Sequence, residues 1–345
     1  MTTDTPTDRT TQVQQFIARH QARYGLQAQT CAPASADASF RRYFRVQGAS
    51  QTFIIMDAPP EHEDCKPFIH VAQLLKSTGL NVPQVLEQDL NNGFLLLTDL
   101  GNTTYLAALQ AGGDHRPLYA DAISALVQLQ LGTPKTALPA YDHDKLMTEM
   151  GLFETWFLNK HHKIMLTERE RGLLQIALNL IAKACTTQHS VWVHRDYHCR
   201  NLMVSPNTNT GTNPGVLDFQ DALTGPYTYD LASLLRDAYI DWPEAAQIEL
   251  AIAYWKQAQA AGLAVPADFG ELWRDFEWMG LQRHLKVLGI FARLNHRDGK
   301  DGYLKDLPLV LKYAQTVAQR YDGLGILVRL FDRIQGVERS AGVTF

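Results

Sequence analysis

The chain lacks the features that mark membrane and secreted proteins. No apolar run approaches the roughly 20 residues that a bilayer-spanning helix needs, and the segment MTTDTPTDRT is polar, without a recognisable signal peptide. Four scattered cysteines form no C-x-x-C pair, which favours free thiols in a reducing compartment. The sequence therefore predicts a cytoplasmic protein with no membrane partner.

An excess of basic charge is also missing. The 345 residues include 32 basic and 36 acidic side chains, a formal net charge of −4, and nucleic-acid binding favours a basic domain or stripe. We therefore predict no nucleic-acid partner. The pattern G-x-x-x-x-G-K-[ST] does not occur, which disfavours a P-loop enzyme. The length allows one to three domains.

The most informative stretch that is present runs from Val191 to Asn201 and reads VWVHRDYHCRN. An apolar segment leads to Asp196, Asn201 follows shortly after, and Asp218 ends the next apolar segment, GVLD. The intervening SPNTNTGTNP is rich in Asn, Thr, Gly and Pro, which is typical of a hairpin loop. Such a hairpin would place Asn201 beside Asp218.

These residue types in this order are typical of phosphoryl transfer from ATP. One Asp accepts the proton of the attacking hydroxyl, while an Asn and a second Asp hold Mg²⁺ against the phosphates. Asp and Asn also occur in turns simply because they hydrogen-bond nearby backbone groups. The length of the constellation favours the kinase interpretation, with ATP and Mg²⁺ as cofactors.

Three blocks resemble the aminoglycoside phosphotransferase superfamily, whose members phosphorylate small molecules. These blocks are HRDYHCRN, LDFQD and GPYTYDLASLLRDAY. Within the superfamily, the chain is similar to bacterial sugar kinases that phosphorylate N-acetylmuramate and N-acetylglucosamine at carbon 1 during cell-wall recycling. The further matching blocks are IIMDAPPE, LLLTDLG and LQRHLKVLGIFARLNHRDGKDGYL. The resemblance implies a kinase with an amino sugar as acceptor.

The predicted fold class is α+β, a protein-kinase-like fold with two lobes. A small antiparallel-sheet lobe would span residues 1–98, a hinge residues 99–103, and a larger, mostly helical lobe residues 104–345. Strand-like segments are predicted at 42–46, 52–57, 85–88 and 94–98. Apolar periodicity predicts helices at 13–24, 67–77, 118–131, 144–158, 168–186, 243–262 and 269–294.

The resemblance also implies roles for individual residues. Asp196 would be the general base, with Asn201 and Asp218 as magnesium ligands. His194 and Asp230 would support the catalytic loop. Adenine would contact the backbone of Asp99 and Leu100 in the hinge.

A lysine is missing where such folds usually place one to bind the phosphates. Met56 stands at that position of the third strand, and only Lys66 and Lys76 occur in the first 100 residues. Phosphate charge could instead be met by Arg41, Arg42 or Lys66, or by backbone amides of Ala38-Ser39-Phe40. We therefore predict nucleotide contacts at Phe40, Arg41 and Arg42.

The acceptor is predicted from the segment 269–305, which mixes basic and acidic residues without an acidic excess. A site for polycationic aminoglycosides should be acidic. Arg283 and Lys286 could receive the carboxylate of a sugar acid, and Trp278 could pack on a sugar ring. Arg200 could touch phosphate or substrate. The alternatives are a solvated basic helix face and an aromatic core residue.

Other functions remain open from the sequence alone. One is a kinase of another acceptor, such as an aminoglycoside, choline or thiamine. Another is a pseudokinase that binds nucleotide without catalysing transfer. The missing lysine favours this alternative, but the presence of Asp196, Asn201 and Asp218 is the stronger argument and opposes it. The sequence leaves the oligomeric state, the phosphorylated hydroxyl and the choice between ATP and GTP undetermined.

Overall fold

The computed structural model describes residues 6–35, 40–205 and 213–337. They form two compact units. The first comprises the chain up to Asp114 together with Arg200–Asp221, and the second comprises His115–Cys199 and the chain from Ala222 onward. The predicted division at residues 99–103 stays a prediction. Ala38 and Ser39 of the predicted phosphate turn, and residues 206–212 of the predicted hairpin loop, lie outside the described residues.

Helices and strands follow one another along the described chain. The strands are β1 (Ala32–Ser35), β2 (Arg42–Gln47), β3 (Thr52–Asp57), β4 (Val85–Asp89), β5 (Phe94–Thr98), β6 (Ser190–Val193), β7 (Leu202–Met203), β8 (Gly215–Val216) and β9 (Leu223–Pro226). The α-helices are α1 (Pro6–Tyr24), α2 (Cys65–Ser77), α3 (Tyr105–Gln110), α4 (His115–Gln130), α5 (His143–Leu152), α6 (Glu168–Thr186), α7 (Tyr229–Leu235), α8 (Glu244–Ala260), α9 (Phe269–Asp298), α10 (Leu307–Ala318) and α11 (Gly325–Gln335). Short 3₁₀ helices occupy Ala28–Thr30, Lys135–Ala137 and Asp301–Asp306.

The first unit is built on a five-stranded antiparallel sheet in the order β1-β2-β3-β5-β4. The four predicted strands are confirmed, and β1 adds an edge that the sequence analysis did not predict. Apolar side chains of α1 and of alternate strand positions, which share one face of a sheet, form a common core. Its members include Val13, Phe16, Ile17, Phe53, Ile55, Phe94 and Leu96.

The strand register shows what surrounds Met56, where a lysine was sought. Met56 pairs with Tyr43 on β2 and with Leu95 on β5, and its side chain is buried. The next residue, Asp57, is also buried and is ion-paired with Arg9 and Arg42. The predicted phosphate ligand Arg42 is therefore engaged with a carboxylate of the sheet.

The predicted hairpin is confirmed on its two strands, because β7 and β8 pair antiparallel. It is anchored to the rest of the first unit by backbone hydrogen bonds. Val204 N donates to Thr103 O at 2.8 Å, and Val216 N donates to Asn81 O at 2.8 Å. These bonds anchor both strands of the hairpin, and Asn201 and Asp218 lie at its open end.

The second unit is mostly helical, as predicted, and contains the short β6-β9 pair. Its longest helix, α9, has 30 residues. Asp268 caps its start by accepting a hydrogen bond from Glu271 N, and Gly299, with φ 67°, ends it in the left-handed conformation that glycine tolerates best. The middle of α9 is buried and includes Arg283 and Lys286, so the alternative of a solvated basic face is wrong.

One predicted helix differs in form. The segment expected to be helical at 144–158 begins as α5 and then continues as a π-helix over Phe153–His161. Its wider turns keep Phe153, Phe157 and Leu158 buried. Across the described ranges, no helix combines the length and the apolar composition that crossing a membrane requires.

Candidate active site

Strand β6 leads into the predicted catalytic loop. Val191, Trp192, Val193 and His194 are buried, and Arg195 and Asp196 are the first partly exposed residues that follow. Asp230, in the first turn of α7, accepts hydrogen bonds from His194 N at 2.6 Å and Arg195 N at 2.9 Å. Asp230 is fully buried, and burial raises its pKa to about 7 despite these bonds. Asp230, near the start of α7, thus fixes the backbone of the loop at His194 and Arg195.

Asp196 is half-buried in this loop. Burial by itself would raise the pKa of Asp196, but the charges of Lys286, His198 and Arg283 outweigh it and leave the pKa below its ordinary value. The carboxylate is therefore ionised at neutral pH. An ionised carboxylate can orient a hydroxyl group and accept its proton.

A residue that the sequence analysis missed lies beside the loop. Glu149, on α5, accepts hydrogen bonds from Arg195 and from the Tyr141 hydroxyl, and its Oε2 lies 4.0 Å from Lys286 Nζ. Burial would raise the pKa of Glu149, but Lys286 and Arg195 lower it. Glu149 is far from Arg195 in sequence and belongs to no motif, so spacing could not reveal this contact.

The two predicted magnesium ligands meet in the first unit. Asn201 Nδ2 donates to Asp218 Oδ2 at 3.2 Å, and Gln220 Nε2 donates to Asp218 Oδ1 at 2.9 Å. Asp218 has φ 64°, a left-handed conformation that is uncommon outside glycine and recurs at functional sites. An amide and a carboxylate so close together offer oxygen donors of the kind that suit Mg²⁺, which takes one or two protein carboxylates and fills the rest with phosphate and water. Within the part of the chain described, no group of three or more His, Cys, Asp or Glu is placed to hold a metal ion.

The predicted nucleotide contacts lie in two parts of the first unit. Phe40 is 64% exposed and stacks on His62, with ring centroids 4.7 Å apart. Arg41 Nη2 donates to Glu63 Oε2 at 2.8 Å. In the predicted hinge, Leu100 is buried, and the Asp99 carboxylate accepts from Arg45 Nε at 2.6 Å. The Asp99 side chain is thus hydrogen-bonded within the unit. The predicted contact with adenine would therefore come from the Asp99 backbone.

The predicted acceptor-binding residues differ in their surroundings. Lys286 is buried and donates to the Tyr229 hydroxyl. Trp278 packs on Tyr321, with ring centroids 5.2 Å apart, and Arg200 is exposed. Arg283 is only 4% exposed, and its Nε and Nη1 have no hydrogen-bond partner among the described residues. A buried cation with unpartnered N–H groups is costly and indicates a ligand or water at that place.

Sequence comparison places these residues in a wider context. The model of the phosphotransferase enzyme family matches residues 30–269. An N-acetylmuramate/N-acetylglucosamine kinase of Pseudomonas aeruginosa is 46% identical over 307 residues, which cover 89% of each chain. A kinase of the same name from Neisseria meningitidis serogroup B is 47% identical over 317 residues, covering 90% of this chain and 93% of that one.

Structural comparison identifies the fold. The GDP complex of aminoglycoside 2'-phosphotransferase-IIIa superposes with a TM-score of 0.58 at 14% identity, covering 88% of this chain and 98% of that chain. At this identity the likeness concerns the fold alone. The predicted kinase-like α+β fold is confirmed.

Proposed function

Since the chain belongs to the phosphotransferase enzyme family, we propose that it phosphorylates N-acetylmuramate and N-acetylglucosamine at the hydroxyl of carbon 1, with ATP as donor. One observation carries the choice of acceptor. Relatives named for these two sugars are 46% and 47% identical to this chain across about nine-tenths of its length. The role that we propose for the reaction is cell-wall recycling in the cytoplasm.

In this proposal Asp196 orients the hydroxyl of carbon 1 and accepts its proton. The low pKa of Asp196 supports this role, because a carboxylate that is ionised at neutral pH is ready to accept. A weak base suffices, since phosphoryl transfer depends mainly on positioning and electrostatics. His194 and Asp230 keep the loop in place through the backbone hydrogen bonds of Asp230.

Asn201 and Asp218 would hold Mg²⁺, which neutralises phosphate charge when bound. The direct hydrogen bond between the two side chains, which places them next to each other, supports this assignment. For the nucleotide we propose backbone contacts at Asp99 and Leu100, and contacts of Phe40 and Arg41 near the phosphates. Arg42 stays a candidate beside Arg41, because each is paired with one carboxylate, Arg41 with Glu63 and Arg42 with the buried Asp57.

On the acceptor side we propose Arg283 as the main cation for the carboxylate of N-acetylmuramate. Its unpartnered, buried N–H groups support this choice over Lys286, which already contacts Tyr229 and Glu149. Arg200 and Trp278 stay as further candidates for contacts with the acceptor. The mixed charge of the surrounding segment supports an anionic or neutral sugar over a polycationic antibiotic.

The direct test is a transfer assay with purified protein, ATP, Mg²⁺ and each sugar. We expect ADP release that depends on the sugar, and a sugar 1-phosphate product identified by phosphorus NMR. Failure of both sugars to accept phosphate would refute the proposal. Choline and an aminoglycoside serve as control acceptors, and turnover of either one alone would reassign the substrate.

The first predicted variant is Asp196→Asn. Loss of the base should lower kcat about 10²- to 10⁴-fold, while nucleotide affinity, measured by calorimetry, should change little, because Asp196 is not among the proposed nucleotide contacts. Asp221→Asn, at an exposed position near Asp218, is the control and should keep parent activity. Turnover of Asp196→Asn close to that of the parent would exclude Asp196 as the base.

A further inference from the structure

Glu149 is the point at which two cations of the second unit converge. Arg195 and Lys286 both form their ion pairs with this carboxylate within the described residues. The Tyr141 hydroxyl donates to the same group, and the Tyr141 ring lies 5.3 Å from that of Tyr229, which accepts from Lys286. Glu149 therefore belongs to a closed polar network that joins α5, the catalytic loop, α7 and α9.

The same two cations act electrostatically on Asp196. Lys286 and Arg195 are among the charges that keep the pKa of Asp196 low. If Glu149 lost its charge, nothing on α5 would balance the attraction of both cations to the Asp196 carboxylate. The two cations could then shift toward Asp196 and change the orientation of the carboxylate that must face the acceptor hydroxyl.

The backbone next to Asp196 also depends on Glu149. Arg195 has φ 79°, an unfavourable conformation for a residue other than glycine. Strained conformations persist where the surroundings over-determine them. Here Asp230 holds the Arg195 backbone N–H at 2.9 Å, and Glu149 holds its guanidinium, which also lies over the Tyr141 ring at 5.7 Å. The residue before Asp196 is thus fixed at both ends.

We propose that Glu149 is a positioning residue for phosphoryl transfer: its carboxylate holds Arg195 and Lys286 in fixed places beside Asp196. The inference rests on the proposed function, because it takes Asp196 as the group that accepts the proton. Glu149 itself contacts neither substrate nor nucleotide in this proposal. It acts through the loop and through the two cations.

The test is Glu149→Gln, which keeps the shape of the side chain and removes its charge. We expect kcat to fall about 10- to 100-fold, the range that small displacements of reacting groups produce, while KM for ATP stays within about twofold of the parent value. Glu154→Gln is the matched control, because Glu154 pairs at 2.9 Å with Arg171, whose side chain is 46% exposed. The control should keep the parent kcat.

A double-mutant cycle with Arg195→Met separates positioning from general damage. If Glu149 acts through Arg195, the double variant should lose little more activity than the worse single variant. Fully additive losses would overturn the inference, and so would a folded Glu149→Gln protein with parent kcat. An inactive parent protein would instead refute the proposed function, so the two failures are distinguishable.

A second variant covers the case in which Glu149→Gln melts below the assay temperature. Tyr141→Phe removes one hydrogen bond to the carboxylate and leaves its charge in place. We expect kcat to fall about three- to tenfold, the equivalent of one ordinary hydrogen bond, again with little change in KM for ATP. A Tyr141→Phe enzyme with parent kcat would contradict the proposal.

Discussion

Arg283 brings a positive charge into the buried middle of α9 without a protein group to bind its Nε and Nη1 atoms within the described ranges. A nearly buried guanidinium of this kind forms strong, often bidentate bonds with a carboxylate. N-acetylmuramate carries a carboxylate that N-acetylglucosamine lacks. The two sugars therefore provide a matched pair of substrates for testing what Arg283 recognises.

We predict that Arg283→Met lowers kcat/KM for N-acetylmuramate about 10- to 100-fold, because a hydrogen bond to a charged group contributes about 1.5–3 kcal/mol. For N-acetylglucosamine the loss should be much smaller. Steady-state kinetics with both sugars measures the difference. Arg274→Met, at an exposed position of the same helix, is the control. Equal losses of kcat/KM with both sugars would show that Arg283 does not bind the carboxylate of N-acetylmuramate.

At the residue scale, spacing along the sequence identifies only those functional side chains that lie within one motif. Asp196, Asn201 and Asp218 follow each other closely enough for their order to be read along the chain. Glu149 reaches Arg195 only through tertiary packing of α5. The pairing of Arg42 with Asp57 likewise depends on strand register, which a single sequence does not determine. Such contacts need the fold before they become visible.

At the scale of elements, the packing of α9 against the end of α5 depends on Gly289. A Cβ atom built on Gly289 would lie 2.5 Å from the backbone carbon and from Cβ of Leu152. Such separations are far below van der Waals contact, and backbone atoms cannot move aside as a flexible side chain can. The close approach of the two helices therefore requires glycine here.

We predict that Gly289→Ala lowers the free energy of unfolding by about 1–3 kcal/mol, the usual effect of overpacking. Gly172→Ala in α6 is the matched control, because nothing lies within 4 Å of its added Cβ. It should raise stability by about 0.5–1 kcal/mol, since alanine favours the helix. Urea unfolding of both variants measures the two changes in the free energy of unfolding, which should have opposite signs. A stable Gly289→Ala protein would mean that α9 can shift freely along α5.

Strands β2 to β5 and seven of the helices were predicted from the sequence, whereas β1, α3, α7, α10 and α11 were not. The predicted helices were indicated by their apolar periodicity. In contrast, every residue of α7 is buried, and a helix buried on all sides has no polar face to produce periodicity. The π-helical turns after α5 have no distinctive amino-acid composition, so the apolar pattern predicts one α-helix through them.

At the scale of the whole molecule, metal should matter for turnover and not for folding. Asn201 and Asp218 hydrogen-bond to each other, so the proposed metal site has internal partners without an ion. We predict that EDTA abolishes phosphoryl transfer, that excess Mg²⁺ restores it, and that the melting temperature of the nucleotide-free protein stays unchanged. Differential scanning fluorimetry with and without EDTA provides the measurement. A marked drop in melting temperature would indicate a structural metal instead.

The first compact unit is discontinuous in sequence, since Arg200–Asp221 joins the chain up to Asp114. Nascent chains fold as they emerge, and N-terminal domains usually complete first. Here the sheet can form early. The hairpin that bonds to Asn81 and Thr103 can pair with them only after residues 115–199 have left the ribosome. The order of synthesis thus makes the end of the unit that carries Asn201 and Asp218 one of its last parts to be assembled, and no simple truncation can isolate that unit intact.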